Sequence, residues 1–240
     1  MITQATAAVL FISLSTHLTA AEQITVPTYD QQRTPLSMLQ EGKARGIYPD
    51  LFQAILKEAG LAPSLVPIPP LRRRVGFENG EFELSCCANP AWRKRPLEQA
   101  VQIFSKPFYW SKDIFIFPSG AEFKIDKLSD LTDKRVATIR GFDYRGAQYF
   151  GERINFHNEK ALMRALALKR ADVGIINQEI FLSAPEKIQL SMGPVHDEAS
   201  LHIRIHRKRL DLVEPINHAI EQIIQSGQRD KIIQRYLPNK

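Results

Sequence analysis

Cysteine, flexible linker sequence and long hydrophobic runs are scarce in this chain. Its 240 residues contain 2 cysteines, Cys86 and Cys87. Because the two are adjacent, they cannot form the disulfide framework of a small secreted protein, and no Cys/His spacing typical of a zinc site occurs. No stretch of about 18 apolar residues is present, which excludes a polytopic membrane protein. No glycine- or serine-rich linker divides the chain.

The composition is that of an ordinary globular protein. Hydrophobic residues make up 44% and charged residues 24% of the sequence, which excludes disordered, collagen-like and coiled-coil proteins. The 32 basic residues exceed the 26 acidic ones, so the formal net charge is +6. This excess is dispersed over short clusters such as Arg72–Arg74 and Arg93–Arg95, without a long basic stripe or a base-reading motif. We therefore expect no nucleic-acid partner.

The first 21 residues contain no Lys, Arg, Asp or Glu. An apolar stretch over residues 7–14 is followed by small residues that end at Ala20 and Ala21. A short apolar core followed by small residues is typical of a secretory signal peptide. We predict a signal peptide over residues 1–21, and a buried amino-terminal helix is the alternative.

The adjacent cysteines fall in a predicted strand over residues 84–88. Successive side chains of a strand point to opposite faces, which places one thiol in the core and lets the other face a cleft. Two small buried side chains, a vicinal disulfide and a reactive thiol all fit the sequence.

Strands and helices alternate along the first part of the predicted mature chain. The pattern predicts strands at residues 23–28, 65–68 and 82–88 and helices at 49–59 and 71–79. This order indicates a parallel sheet whose ligand site lies outside the carboxyl ends of the strands. A second α/β unit follows, with strands at 113–117, 135–139 and 171–177 and helices at 144–150 and 159–170. A last strand at 201–205 and two helices end the chain, and without a linker the units must be joined by strands that form a hinge.

Seven segments, in this order and spacing, resemble extracellular solute-binding protein family 3, the periplasmic receptors of amino-acid-type ABC transporters. They are Gly46–Gly60, Phe77–Glu83, Asn89–Arg93, Phe104–Phe108, Asp130–Val136, Lys169–Asp172 and Val213–Leu237. The resemblance covers nearly all of the chain after the signal peptide.

The resemblance implies a type II periplasmic binding fold, with two α/β lobes, a ligand cleft between them and two crossover strands. Lobe 1 is expected to comprise residues 22–111 and 207–240, and lobe 2 residues 112–206. The implied function is to capture a small polar solute, an amino acid or a related compound, in the periplasm and deliver it to an inner-membrane ABC permease. The resemblance implies a monomer that is not an enzyme and needs no cofactor or metal.

The same resemblance implies a set of ligand residues in lobe 1. Arg93 matches the family's carboxylate-binding arginine, and Asn89, at the start of the same loop, is a further ligand candidate. This loop is one residue longer than the family's pattern. A guanidinium suits this role because it binds a carboxylate in bidentate fashion. Tyr29, after the first strand, resembles the aromatic residue that lies over the ligand. Arg72 follows the second strand and is open to either a cleft or a surface position.

In lobe 2 the sequence departs from the family's pattern. Gly141, Phe142 and Asp143 stand where the family has an anion-binding loop at a helix start, but Asp143 is itself a typical helix N-cap. Asn177 replaces the aspartate that neutralises the ligand's α-ammonium group, and it brings no charge.

Two other function classes remain open. A cleft enzyme of the dehydratase type needs an acid or a base, for which Asp143, Cys87 and Glu179 are candidates, but no nucleophile–histidine pair or metal cluster is visible. A solute-sensing module with a separate signalling partner fits the sequence equally well. His202 and His206 are four residues apart on a predicted strand and do not converge on a metal.

Overall fold

The computed structural model describes residues 21–30, 32–185 and 189–237. The predicted signal peptide therefore lies outside the described residues, apart from Ala21. The strands are β1 (Glu22–Thr28), β2 (Met38–Gln40), β3 (Lys43–Arg45), β4 (Leu61–Pro67), β5 (Leu84–Ala88), β6 (Gln102–Phe104), β7 (Tyr109–Pro118), β8 (Arg135–Ile139), β9 (Glu152–Phe156), β10 (Val173–Asn177) and β11 (Leu190–His206). The helices are α1 (Ile47–Glu58), α2 (Pro70–Glu78), α3 (Pro96–Val101), α4 (Glu159–Ala167), α5 (Gln178–Ser183), α6 (Val213–Gln225) and α7 (Gln228–Gln234). None of the described helices is long and apolar enough to cross a membrane.

The first lobe forms around β1, β4 and β5. β1 pairs with β4 in parallel, and α1 and α6 pack together beside them. Apolar side chains at helical spacing explain why α1 forms and which face it buries, since Leu51, Phe52 and Ile55 are all fully buried. α1 begins after Gly46, whose φ is 117°, and a Cβ at this position would lie 2.8 Å from the carbonyl oxygen of Leu36. Only glycine fits here.

The second lobe is a sheet in the order β7-β10-β8-β9, with α4 against it. β8 pairs in parallel with β9 and β10, whereas β7 is antiparallel to β10. Phe115, Val136 and Ile175 belong to a core cluster of this lobe.

Two long antiparallel strands connect the lobes. β11 pairs with β7 from Leu190 opposite Pro118 to Leu201 opposite Tyr109. From His202 onward β11 pairs instead with β5 and β6 of the first lobe. The predicted architecture of two α/β lobes joined by two strands is confirmed, while the exact lobe boundaries remain a prediction.

Some elements differ from the prediction. The prediction of a helix over residues 144–150 is wrong, because the chain forms only a 3₁₀ turn there, Ala147–Tyr149. Gly146 before this turn has φ of 78°, and a Cβ there would lie 2.5 Å from a side-chain atom of Leu128. A continuous helix cannot pass through this backbone conformation. The β2–β3 hairpin and β9 were not predicted.

Candidate functional site

The ends of β1, β4 and β5 come together at one side of the cleft. Thr28, the last residue of β1, lies opposite Pro67, the last residue of β4. The hydroxyl of Tyr29 donates to the carbonyl of Cys87 in β5 at 3.3 Å. The guanidinium carbon of Arg73, in α2, lies 4.1 Å from the centre of the Tyr29 ring. Tyr29 therefore connects the ends of β1 and β5 with α2.

Two arginine side chains at this end of the cleft carry buried N–H groups that need an acceptor. Nη1 of Arg73 and Nε of Arg93 are buried, and neither has a hydrogen-bond partner among the described residues. The Nε of Arg93 lies 3.9 Å from Oε1 of Glu98, which is too long for a hydrogen bond. A buried charged donor without an acceptor is unfavourable, and a carboxylate is the acceptor that a guanidinium binds best. This end of the cleft is suited to an anion.

The electrostatic environment of Tyr29 also favours an anion at this end of the cleft. Burial raises the pKa of the Tyr29 hydroxyl, but the positive charges of Arg73, Arg93 and Arg33 oppose the effect. The hydrogen bond to the carbonyl of Cys87 acts in the same direction as these charges, and the resulting pKa lies below its ordinary value. Positive charge therefore dominates around this ring.

Arg33, in the segment after β1, reaches across the cleft to the second lobe. Its Nε donates to Oε1 of Glu159 at 2.7 Å. Glu159 lies in the first turn of α4 and is 6% exposed. The Arg33 guanidinium also lies 5.1 Å from the centre of the Phe142 ring. Phe142, a predicted ligand residue, is therefore placed at the cleft beside Arg33.

The wall beyond Arg33 is acidic. Glu179, in α5, accepts a hydrogen bond from the Tyr109 hydroxyl at 2.8 Å. Its Oε2 is buried, and no donor within residues 21–30, 32–185 and 189–237 reaches it. The pKa of Asp113 is raised to about 6, mainly by burial and also by neighbouring carboxylates including Glu179, against the opposing effect of Arg33. Burial and the charge of Glu179 raise the pKa of Tyr109, so this hydroxyl stays protonated.

Asn177, a predicted ligand residue, has a different role in the structure. Its Oδ1 accepts the backbone N–H groups of Glu179 and Ile180 at 3.1 and 3.3 Å. Its Nδ2 donates to Oγ of Ser111 at 3.0 Å and to the carbonyl of Lys112 at 3.2 Å. A side-chain amide has two donors and two acceptor positions, so its hydrogen-bonding capacity is fully used. The structure makes Asn177 the N-cap of α5, which leaves it no group for a ligand.

Two predicted residues of lobe 1 also have other partners. Arg72 is exposed and forms an ion pair with Glu81 at 2.8 Å. Asn89 accepts the N–H of Ala91 at 2.8 Å and donates to the carbonyl of Ser200 at 2.9 Å. Asn89 thereby caps the 3₁₀ turn after β5 and ties it to β11. The geometry favours neither residue as a ligand contact.

The loop after β8 contains Gly141, Phe142 and Asp143, all exposed. The helix expected to follow is absent, and the short turn that replaces it is capped by Gly146. The interpretation of Asp143 as a helix N-cap was therefore wrong. The loop lies at the carboxyl end of β8, where the sheet topology predicts ligand contacts, and its role remains a prediction.

Cys86 and Cys87 form a vicinal disulfide, and both are buried. The predicted arrangement, with one thiol in the core and the other facing the cleft, is wrong. Because Cys87 is oxidised, it cannot act as the base of a cleft enzyme. Among the described residues, no group of three His, Cys, Asp or Glu side chains is placed to hold a metal ion.

Several residues that shape the cleft were missed as ligand candidates. They are Arg33, Arg73, Asp113 and Glu159. Arg73 belongs to a run of arginines that the sequence analysis did single out, and Asp113 begins a predicted strand. Arg33 and Glu159 are 126 residues apart, so no local pattern relates them.

The sequence model of the bacterial extracellular solute-binding proteins, family 3, matches residues 26–239. A comparison with curated protein sequences finds no match.

Solved structures share the fold. An ancestral amino acid-binding protein, a precursor of cyclohexadienyl dehydratase, is 19% identical, with a TM-score of 0.71 over 90% of this chain and 96% of that chain. The L-cystine solute receptor of Neisseria gonorrhoeae, unliganded and open, is 17% identical, with a TM-score of 0.67 over 90% and 93%. An amino acid ABC transporter substrate-binding protein of Streptococcus pneumoniae, bound to L-arginine, is 18% identical, with a TM-score of 0.67 over 90% and 94%.

Proposed function

Since this chain belongs to the bacterial extracellular solute-binding proteins, family 3, and has their type II periplasmic binding fold, we propose that it captures a small zwitterionic solute between its lobes. The solute is an amino acid or a close relative. We propose further that the chain is exported by its signal peptide, residues 1–21, and works as a monomer in the periplasm. There it delivers the solute to an inner-membrane ABC permease.

The buried, unpaired N–H groups of Arg73 and Arg93 beside Tyr29 carry this proposal. They provide a site for a carboxylate at the strand ends, where ligands of open α/β sheets bind. Arg73 is the better candidate of the two, because Arg93 lies near Glu98, whose charge partly compensates its own.

A ligand panel with matched arginine variants tests the proposal. We expect at least one of the twenty L-amino acids or L-cystine to raise the melting temperature of the wild-type protein, because a ligand that binds only the folded state stabilises it. Arg73→Ala should weaken the binding of that solute by at least about tenfold, which corresponds to about 1.4 kcal/mol. Titration calorimetry gives the two dissociation constants.

Arg72→Ala is the control, because Arg72 is the adjacent residue and pairs with Glu81 on the surface. It should bind like the wild type. Equal losses in the two variants would contradict the assignment of Arg73, and a wild-type protein without any melting shift would contradict the proposed function. Uptake of the same labelled solute in cells with and without the protein tests delivery to a permease.

A cleft enzyme is the second candidate, because Asp113 is a buried carboxyl group whose pKa of about 6 suits an acid or a base. A solved structure of the same fold is a precursor of a cyclohexadienyl dehydratase. Incubation with cyclohexadienyl acids, followed by NMR, distinguishes this function, since only an enzyme converts the compound.

A further inference from the structure

Glu179 is held in the cleft by the fold itself. It is the second residue of α5 and follows Asn177, the last residue of β10. The side chain of Asn177 accepts the backbone N–H of Glu179 and fixes the turn between strand and helix. The hydroxyl of Tyr109, on the crossover strand β7, then holds Oε1 of Glu179 at 2.8 Å. The carboxylate is therefore oriented from both sides.

The second oxygen of this carboxylate is the unusual feature. Oε2 is buried, and none of the described residues donates to it. Buried carboxylate oxygens normally accept hydrogen bonds or face a cation. Arg33, whose charge acts on the neighbouring Asp113, is paired with Glu159. Within the part of the chain that the structure describes, this carboxylate oxygen therefore has no partner.

The groups around Glu179 do not neutralise it. The charge of Glu179 contributes to raising the pKa of Tyr48, Tyr109 and Asp113, which shows that all three lie within its field. Tyr48 and Tyr109 pack edge to face, with ring centres 5.5 Å apart, and both are almost fully buried. Aromatic rings beside a carboxylate form a favourable environment for an organic cation.

The opposite end of the cleft has the complementary charge. Arg73 and Arg93 carry unpaired donors there, and the charges of both act on Tyr29 to lower its pKa. A solute with a carboxylate at one end and a cationic group at the other matches both walls. Asn177 is excluded as the partner of that cation, because its amide groups are all engaged.

We propose that Glu179 binds the cationic group of the solute through Oε2, and that it takes the place of the charge that is missing at Asn177. This assignment rests on the proposed function, because it requires a zwitterionic solute in the cleft. The solute class is an amine or guanidine that also carries a carboxylate.

Glu179→Gln tests the assignment, because glutamine keeps an acceptor for the Tyr109 hydroxyl and removes only the charge. The probes are the tightest binder among the twenty L-amino acids and L-cystine, and the matching carboxylic acid that lacks every cationic group. Titration calorimetry is carried out with the wild type, Glu179→Gln and the control Glu152→Gln, in which the substituted side chain is exposed at the start of β9. We expect Glu179→Gln to bind the amino acid about 10- to 100-fold more weakly, because a hydrogen bond between two charged groups is lost. The affinity of Glu179→Gln for the carboxylic acid without a cationic group should stay within about threefold of the wild-type value. Glu152→Gln should bind both probes like the wild type.

Each other outcome has a definite meaning. Equal binding of the amino acid by the wild type and Glu179→Gln overturns the role of Glu179 and leaves the proposed function intact. Loss of both probes in Glu179→Gln shows a structural role and also overturns the assignment. A wild type that binds none of the amino acids overturns the proposed function, and the assignment fails with it.

Discussion

Ionisation of the Asp113 side chain lowers the stability of the folded protein. The pKa of this side chain is raised to about 6. Burial is the main cause, the carboxylates of Asp197, Glu179 and Glu159 add to it, and Arg33 opposes it. The unfolded chain releases this proton near pH 4, so the folded state holds it more tightly. The contribution of Asp113 to the free energy of unfolding therefore falls as the pH rises from about 4 to about 6.

Asp113→Asn should remove the part of this pH-dependent loss of stability that is due to Asp113. We expect the variant to be more stable than the wild type by about 1 to 2 kcal/mol at pH 8 and to differ little at pH 4. Urea unfolding at pH 4, 6 and 8 measures the difference. Asp126→Asn, at an exposed site, serves as the control, and a variant that is less stable than the wild type at pH 8 would refute the argument.

The residues of the site show where sequence reasoning reaches its limit. The run Arg72–Arg74 was recognised at a strand end, but Arg72 rather than Arg73 was chosen as the ligand candidate. Adjacent residues of a helix point about 100° apart, so the run alone does not show which side chain faces the cleft. Only packing decides that Arg73 lies over Tyr29 while Arg72 faces solvent. Arg93 was predicted from a motif, and the structure places it beside the same ring, although its contact with a ligand remains a prediction.

At the scale of elements, α5 depends on a single buried cap. Asn177 is 3% exposed and satisfies two N–H groups of the first turn, one oxygen of Ser111 and one backbone carbonyl. Asn177→Ala leaves these buried groups without partners. We expect it to lower the free energy of unfolding by about 2 kcal/mol, measured by urea denaturation.

Asn177→Ser is the matched comparison, because serine also caps helices and adds no charge to the acidic wall. It should retain the bonds to the first turn of α5 and lose those that the amide nitrogen donates. A smaller loss of stability is therefore expected than in Asn177→Ala, and equal losses would show that the cap contributes nothing.

Most elements of the fold followed from sequence because their apolar residues are periodic. The boundaries of β8 were predicted to the residue, and those of α1, α2 and α4 within a few residues. β9 was missed because three of its five residues are polar and no side chain of it is fully buried. The false helix at residues 144–150 has a long-range cause, since the positive φ of Gly146 brings the backbone against Leu128. No local pattern contains that contact.

At the scale of the whole molecule, the Arg33–Glu159 ion pair joins the lobes across the cleft. Both side chains are largely buried, at 21% and 7% exposure. Its loss should shift the population of the unliganded protein toward an open form. We expect Arg33→Ala and Glu159→Gln each to increase the radius of gyration, measured by small-angle X-ray scattering.

A double-mutant cycle isolates the contribution of this pair. The two substitutions together should cost less than the sum of the single effects on unfolding, with a coupling energy of about 0.5 to 3 kcal/mol. The exposed pair Lys124–Asp126 provides the reference, since surface pairs contribute little. Additive effects of Arg33→Ala and Glu159→Gln would show that the lobes are held by other contacts.

The net charge of +6 says less about partners than the arrangement of charges in the cleft. Arg73 and Arg93 stand at one wall, and Asp113 and Glu179 at the other. Under the proposed function, these two walls attract opposite ends of a dipolar solute and so set its orientation in the cleft.

The pairing of β7 with β11 has a consequence for motion. The two strands that connect the lobes are direct neighbours in one ladder, with Ser111 opposite Ala199 and Tyr109 opposite Leu201 at the crossing. Bending or twisting this two-stranded ladder preserves its hydrogen bonds, whereas sliding one strand along the other breaks them. We therefore expect the lobes to reorient by bending or twisting of this ladder, with the register of β7 and β11 unchanged.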